Sequence, residues 1–222
     1  MEPAVQSSGI TMTNEQFLQL RDFIYEKSGI YFADSKKSLL ENRLTFRLKA
    51  YNFTDYEKYY YLLKYDPQAA KELRALYDTI TTNETSFFRS PPQIEAFAEK
   101  ALPDVMARRE KAGEKTLRLW SAGCSTGEEA YTLGIVLKEV LKDSFREWDI
   151  KIYASDISEK ALRSAKLATY SEYALRGVPA EIRQKYFKSE NSQFVVTDEI
   201  RALVELQFLN FMDSARMQLM KG

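Results

Sequence analysis

Apolar residues recur at spacings of three and four through the first eighty positions, which is the pattern of helices with one buried face. The first helix is predicted to begin after a Thr13–Gln16 capping box and to end at Gly29. Three more helical stretches follow, beginning near Asp34, Tyr56 and Pro67. Because short amphipathic helices must bury their apolar faces against one another, these four predict a small all-helical domain with one core.

This pattern breaks near Asn83. Residues 82–86 are polar, and the Pro91-Pro92 pair that follows cannot sit inside a helix. We therefore place a domain junction at this point of the chain. The predicted organisation is a flexible tail at 1–13, a helical domain at 14–82, a linker at 83–92 and a second domain at 93–222.

Beyond the junction, short apolar runs of strand length alternate with helical stretches. The predicted strands are at 117–120, 150–154, 194–196 and 204–208, and the predicted helices are at 94–109, 127–141 and 158–168. Strands that alternate with helices favour an α/β fold with a parallel sheet. Ligands of such folds bind at the carboxyl ends of the strands, so the residues that follow each strand are the candidates for chemistry.

Composition and charge exclude several kinds of site. The chain contains no histidine, which removes Ser-His-Asp triads and Cys/His zinc sites, and we expect no metal. The single cysteine, Cys124, cannot form an internal disulfide and fits a reducing, cytoplasmic compartment. Because 32 basic residues balance 32 acidic ones, we expect no nucleic acid partner. No apolar run reaches the length of a membrane span, and we expect no membrane insertion.

A loop of small residues links the first strand of the second domain to the next helix. It reads Trp-Ser-Ala-Gly-Cys-Ser-Thr-Gly-Glu-Glu over residues 120–129. Gly123 and Gly127 let the backbone approach a ligand, and the helix start offers unpaired N–H groups. Glu128 and Glu129 would repel a pyrophosphate and attract a cationic group. A tight turn whose glutamates complement the helix dipole is the alternative, and the motif alone leaves both open.

Polar residues also follow two other predicted strands. Asp156 comes directly after the second strand, where a carboxylate can accept both hydroxyls of a ribose. A helix cap is the simpler role for Asp156 alone, but the neighbouring glycine loop favours the ribose. Asn210 follows the last strand, and its amide suits either an adenine edge or a turn.

The junction itself carries an unusual mixture of side chains, Thr-Thr-Asn-Glu-Thr-Ser-Phe-Phe-Arg over residues 81–89. Phe87 and Phe88 are expected to fill apolar space at the junction. Arg89 is harder to explain by packing, because a guanidinium can grip a carboxylate with two hydrogen bonds.

The second predicted helix carries a stripe of positive charge. Lys36, Arg43 and Arg47 are seven and four positions apart and share one face, and Lys49 adds charge nearby. Such a stripe is usually solvated surface, but it also suits docking to an acidic helix.

Taken together, three segments in this order resemble the CheR family of chemotaxis methyltransferases. They are Asn-Glu-Thr-Ser-Phe-Phe-Arg at 83–89, the glycine loop at 120–129, and Ala-Ser-Asp-Ile at 154–157. The similarity runs from Phe17 to Asp213. It implies a small all-helical domain followed by a Rossmann-like methyltransferase domain, with an inserted antiparallel β subdomain at about 186–201. The family continues with further strands, so we expect this sheet to lack its later strands.

The resemblance also implies an activity and its residues. The family transfers a methyl group from S-adenosylmethionine to receptor glutamates, leaving S-adenosylhomocysteine. The implied cofactor and substrate residues are Asn83, Thr85, Arg89, Gly123, Glu128, Asp156, Asn210 and Phe211, with Arg89 the one expected in catalysis. The implied receptor-binding residues are Lys36, Arg43, Arg47 and Lys49 on a monomer.

Two other functions stay open at this point. The chain is alternatively a non-catalytic module that binds S-adenosylmethionine or S-adenosylhomocysteine or docks receptors, or a family methyltransferase acting on a different protein. Some family members also bind a receptor C-terminal peptide through the β subdomain. The hairpin loop at 188–193 contains no glycine here and carries Glu190, so we expect a tether-independent protein.

Overall fold

A computed structural model describes residues 10–219 of the chain. The described residues form two compact units. We call residues 10–81 with 210–219 the helical unit, and residues 82–209 the α/β unit. The predicted second domain, 93–222, therefore differs at both ends, because residues 82–92 cluster with the α/β unit and residues 210–219 with the helical unit.

Four helices of the helical unit match the predicted four. They are α1 Asn14–Ser28, α2 Lys37–Ala50, α3 Tyr56–Tyr65 and α4 Ala69–Ile80, with a 3-10 turn at Asp34–Lys36 before α2. The capping box of Thr13 and Gln16 is present, and Gly29 closes α1 with a φ of 73°. Their shared core contains Leu20, Ile24, Leu40, Leu44, Leu48, Tyr56, Leu63, Leu76 and Ile80.

The predicted tail needs a correction at its end. Residues 1–9 lie outside the described residues. Met12 is fully buried, and its N–H donates to a Glu41 carboxylate oxygen at 3.2 Å. Because a buried methionine contributes apolar contacts to the core, the packed helical unit begins before residue 14.

A continuous helical segment opens the α/β unit. It consists of α5 Pro91–Ala96, a π-helical turn at Phe97–Ala101, and α6 Leu102–Lys111. The predicted linker ends earlier than expected because Pro91 and Pro92 occupy the first helical positions, where no N–H is needed. The π turn precedes Pro103, which cannot donate the usual helical hydrogen bond, and such turns accommodate this loss.

The parallel sheet is present as predicted. It contains β1 Thr116–Ala122, β2 Asp149–Asp156 and β6 Val204–Phe208 in the order β1-β2-β6. Helices α7 Glu128–Leu141 and α8 Glu159–Leu167 follow β1 and β2, and a 3-10 helix covers Lys142–Glu147. All described neighbours in this sheet are parallel, so the carboxyl ends of β1 and β2 meet at one edge.

The inserted antiparallel subdomain is also present but begins earlier than residue 186. Its strands are β3 Thr169–Tyr170, β4 Phe187–Glu190 and β5 Gln193–Val196, in the order β3-β5-β4. A 3-10 turn at Glu172–Leu175 and the short helices α9 Ala180–Tyr186 and α10 Asp198–Arg201 complete it. A two-residue strand such as β3 is too short to leave a periodic pattern in the sequence.

The β4–β5 hairpin corrects one argument from sequence. Asn191 and Ser192 form its turn, with φ angles of 47° and 63°. Two positive φ angles are typical of type I′ turns, in which asparagine is well tolerated. The absence of glycine therefore does not prevent this turn, and that reason was wrong. The expectation of tether independence stays a prediction that rests on Glu190.

The last described segment, residues 210–219, includes α11 Ser214–Leu219. It joins the helical unit through Asn210, whose side-chain amide donates to the Lys27 carbonyl at 2.6 Å. Among residues 10–219, no helix combines the length and apolar character needed to cross a membrane.

Candidate functional site

The loop between β1 and α7 has the backbone that its glycines predicted. Gly127 precedes α7 with a φ of 96°, and a Cβ there would lie 2.9 Å from the Ala165 Cβ, so only glycine fits. Gly123 has a φ of 79° and no heavy atom within 4 Å of where a Cβ would stand. One glycine therefore allows close packing against α8, and the other leaves open space in which a ligand can approach the backbone.

Asp156 organises this loop from the end of β2. Its two carboxylate oxygens accept the N–H groups of Ser125 and Ser158, each at 2.8 Å. Ser158, not Asp156, caps α8, because its hydroxyl accepts the Ala161 N–H at 3.1 Å. Each oxygen of Asp156 keeps a second lone pair. A role in holding ribose hydroxyls stays a prediction that this arrangement permits.

The two glutamates at the start of α7 face different environments. Glu128 is 4% exposed, and the Thr126 hydroxyl donates to it at 2.6 Å. Burial raises the pKa of Glu128, and the hydrogen bond from Thr126 only partly opposes this. Glu129 is exposed, and the Ser121 hydroxyl donates to its carboxylate at 2.7 Å.

A polar pocket of about 470 Å³ lies beside the glycine loop. Its size is within the range of small-molecule sites. Three of the predicted site residues line it, namely Thr85, Arg89 and Gly123, and so does Glu129. Asn83 lies next to it, and its backbone carbonyl accepts the Ser125 hydroxyl at 3.2 Å.

The junction segment contributes one wall of this pocket. Phe87 is fully buried, with its ring edge-on to Tyr170 and Phe187 at centroid distances of 4.8 and 4.9 Å, which confirms its packing role. Arg89 is exposed, and its guanidinium donates to the Glu84 carbonyl at 3.1 Å. One hydrogen bond leaves most donors of a guanidinium available for a ligand carboxylate.

Comparison of the sequence with known proteins identifies the family of the chain. Residues 83–220 match the family model described as CheR methyltransferase, SAM binding domain, and residues 15–81 match CheR methyltransferase, all-alpha domain. The chain belongs to the CheR methyltransferase family. The α/β unit is therefore a methyltransferase domain whose methyl donor is S-adenosylmethionine.

Several curated proteins resemble this CheR family member over most of its length. A chemotaxis protein methyltransferase of Borreliella burgdorferi is 32% identical over 205 residues, which cover 92% of this chain and 72% of that protein. Chemotaxis protein methyltransferase 2 of Vibrio cholerae is 32% identical, covering 94% of this chain and 71% of that protein. The chemotaxis protein methyltransferase of Escherichia coli is 33% identical over 178 residues, which cover 80% of this chain and 58% of that protein.

Two residues expected near the adenosine lie in the helical unit. Asn210 uses its amide within that unit, donating to Lys27 and accepting the Met212 N–H at 3.0 Å. Phe211 is 46% exposed. Their contacts with adenosine stay predictions.

The basic stripe of α2 is not uniformly exposed. Arg47 donates to both carboxylate oxygens of Glu72 at 2.8 and 2.6 Å, and Glu72 raises the pKa of Arg47 through these hydrogen bonds. Arg43 donates to the Ile80 carbonyl. Lys36 and Lys49 are exposed. We conclude that Arg47 serves the core of the helical unit, which its spacing with Lys36 and Arg43 did not predict.

The glutamate that the sequence predicted to bind the cofactor is Glu128, whereas the glutamate that lines the pocket is Glu129. A signal was available, because Glu128 shares the spacing of Thr132 and Ile135, both of which are buried on α7. Glu129 lies outside that stripe.

Cys124, the single thiol, is not suited to act as a nucleophile, because burial raises the pKa of Cys124 to about 12. Among the described residues, no cluster of metal-ligating side chains occurs.

Proposed function

We propose that this CheR family member transfers the methyl group of S-adenosylmethionine to glutamate side chains of chemotaxis receptors, releasing S-adenosylhomocysteine. The observation that carries the proposal is the polar pocket in which Arg89, Gly123 and Glu129 come together. The names of the relatives, which are chemotaxis protein methyltransferases, support a receptor as substrate. In this proposal the chain acts as a monomer in the cytoplasm.

The pocket lining fits the amino-acid end of the methyl donor, which carries an ammonium and a carboxylate. Glu129 offers an exposed carboxylate, held by Ser121, for the ammonium. Arg89 offers a guanidinium for the carboxylate, and such pairs form strong, directional hydrogen bonds. Gly123 leaves room for the ligand beside the backbone. We therefore assign the methionyl end of the donor to Arg89 and Glu129.

The chemistry suits a protein without histidine. When bound, S-adenosylmethionine supplies an electrophilic methyl group on a sulfonium. A receptor glutamate has an ordinary pKa of about 4.3 and is ionised at neutral pH, so no general base is needed. The chain's task is to hold the carboxylate in line with the methyl group. Arg89 serves better on the donor than on the nucleophile, because a tight grip on the attacking carboxylate would slow the attack.

Receptor docking is assigned to the exposed face of α2. Lys36 and Lys49 lie at its two ends, and Leu39 and Phe46 stand between them with 40% and 72% of their surface exposed. Leu39, Phe46 and Lys49 are separated by seven and three residues, so they share one face of α2, and Lys36 is the residue directly before the helix. Because the substrate is a glutamate, the receptor segment is acidic, and this basic, partly apolar face suits an acidic amphipathic helix.

The docking assignment is tested by methyl transfer to receptor fragments. The Lys36→Ala/Lys49→Ala double variant should raise KM at low salt and lose this effect at high salt, whereas Phe46→Ala should raise KM at both. Affinity for S-adenosylhomocysteine should not change. Lys58→Ala, at an exposed position on α3, is the matched control. Equal KM values for all variants would show that this face is only solvated surface.

The activity itself is tested with a labelled methyl group. Transfer of label to receptor glutamates, lost in Arg89→Ala, supports the proposal. Binding of S-adenosylhomocysteine without any transfer would favour the non-catalytic module. Transfer only to a different protein would favour a family methyltransferase with another substrate.

A further inference from the structure

The backbone that carries Arg89 is held in an unusual conformation. Phe88 and Ser90, on either side of Arg89, have φ angles of 51° and 65°. Neither is glycine, and left-handed backbone at such residues is disfavoured because the Cβ crowds the neighbouring carbonyl. Strained positions of this kind persist only where surrounding contacts hold them. The contacts at this segment therefore decide where Arg89 points.

Two hydrogen bonds to other parts of the α/β unit hold the segment. The Phe87 N–H donates to the Ala174 carbonyl at 3.0 Å, and the Phe87 ring is buried in the aromatic core of the antiparallel subdomain. The Phe88 N–H donates to the Thr132 hydroxyl oxygen at 3.2 Å. The first contact fixes the residue before the strained backbone. The second fixes Phe88 itself, next to Arg89.

The Thr132 hydroxyl is suited to this contact. Thr132 lies one turn after Glu128 on α7 and is 1% exposed. Its hydroxyl donates to the Glu128 carbonyl at 2.6 Å. A hydroxyl has one proton, so this bond commits the proton to the helix and turns a lone pair toward the Phe88 N–H. The same side chain lines the pocket that contains Arg89.

We propose that Thr132 is a positioning residue that orients Arg89 by holding the backbone of Phe88. In this proposal the effect of Thr132 on ligand binding passes through Arg89. This inference rests on the proposed role of Arg89 in binding the methyl donor. It links α7, whose first turn carries Glu129, with the segment that carries Arg89, so that the two ligand-binding side chains share one rigid support.

The first test needs no ligand. Thr132→Val keeps the shape of the side chain and removes both hydrogen bonds, whereas Thr132→Ser keeps the hydroxyl. Amide hydrogen exchange at residues 86–90 should become roughly fivefold faster in the valine variant, as expected for the loss of one hydrogen bond, and stay at the original rate in the serine variant. Unchanged exchange in Thr132→Val would overturn the proposal.

The second test separates positioning from general weakening. Affinity for S-adenosylhomocysteine is measured for the full chain, Thr132→Val, Arg89→Ala and the double variant. The valine change should weaken binding roughly fivefold alone and by less than about twofold in the Arg89→Ala background, because its effect passes through Arg89. Full additivity would overturn the proposal. Should Thr132→Val fail to fold, Thr132→Ala replaces it in the same cycle.

These outcomes are distinct from failure of the proposed function. If the unaltered chain binds S-adenosylhomocysteine but transfers no methyl group to receptors, the receptor methyltransferase function fails. The exchange and binding results on Thr132 still decide the positioning role in that case.

Discussion

The helical unit and the α/β unit each bury a glutamate, and the pKa values of the two carboxylates are shifted in opposite directions. Glu72 of α4 is 1% exposed and accepts hydrogen bonds from Arg47, Tyr51 and Tyr59. Burial alone would raise the pKa of Glu72, but these hydrogen bonds outweigh it and leave the pKa below its ordinary value. Glu128 of α7 has a side-chain donor in Thr126, and burial keeps its pKa raised.

The number and charge of the hydrogen-bond donors therefore decide whether the pKa of a buried carboxylate is raised or lowered. The four hydrogen bonds to Glu72 include two from a cation, so its charged form is stabilised inside the core. Glu72 thereby joins α2, α3 and α4. Glu128 lacks a cationic partner among its described contacts, and its neighbour Glu129 lines the pocket. The first carboxylate is part of the scaffold, and the second is buried next to a pocket-lining residue.

The largest effect is expected at the first carboxylate. Glu72→Gln removes the charge that pairs with Arg47 and leaves a partly buried guanidinium without its partner, which should cost about 3 kcal/mol of unfolding free energy. Urea unfolding measures this. Asp104→Asn removes one side of the exposed Arg108–Asp104 pair and should change stability by less than about 0.5 kcal/mol. Equal effects of the two changes would contradict the structural role of Glu72.

A second prediction concerns Asp156, a buried carboxylate of the α/β unit that has two backbone donors. Asp156→Ala should weaken binding of S-adenosylhomocysteine by about 1–3 kcal/mol, through lost hydrogen bonds to ribose and a less ordered glycine loop. Calorimetry measures the affinity, and circular dichroism checks the fold. Unchanged affinity in a folded variant would rule out the ribose assignment.

The third prediction separates the two glutamates of α7. Glu129→Gln should weaken donor binding by about 1–2 kcal/mol, because a charged partner of the ammonium is lost. Glu128→Gln should leave the affinity within about twofold, since its carboxylate is turned toward Thr126. The reverse order of effects would support Glu128, the residue selected from the sequence, as the one that binds the ligand.

The smallest effect is a difference in pH dependence. In the folded chain the pKa of Glu72 is lowered from its ordinary value of 4.5. The ionised Glu72 carboxylate therefore stabilises the fold above pH 4.5, and this contribution is lost as the pH falls through the folded-state pKa. The stability gap between the original chain and Glu72→Gln should therefore shrink in acid. Glu128 has a raised pKa, so Glu128→Gln should stabilise slightly at neutral pH and have no effect in acid. Unfolding curves at pH 3 to 7 measure both gaps.

Local chemistry was sufficient to predict much of the fold. The capping box at Thr13 was confirmed because a cap is decided by residues within one helical turn. The loop around Gly127 was predicted because its backbone needs a residue without a Cβ.

Features that depend on distant residues were not predictable in the same way. Arg47 looked like surface charge, but its partner Glu72 lies 25 positions away on another helix. The contact between Thr132 and the Phe88 N–H spans 44 positions and leaves no pattern in the sequence. The short strand β3 is defined by its pairing with β5 and not by its own two residues.

The sequence by itself therefore determined the order of helices and strands, the glycine loop, the absence of histidine chemistry and the resemblance to the CheR family. These follow from local backbone preferences, periodicity and composition. The tertiary structure decided which charged side chains are buried with partners and which line the pocket. It assigned Arg47 to Glu72, Glu128 to Thr126 and Glu129 to the pocket. The physical reason is that the state of a charged group depends on burial and on donors that folding brings from elsewhere in the chain.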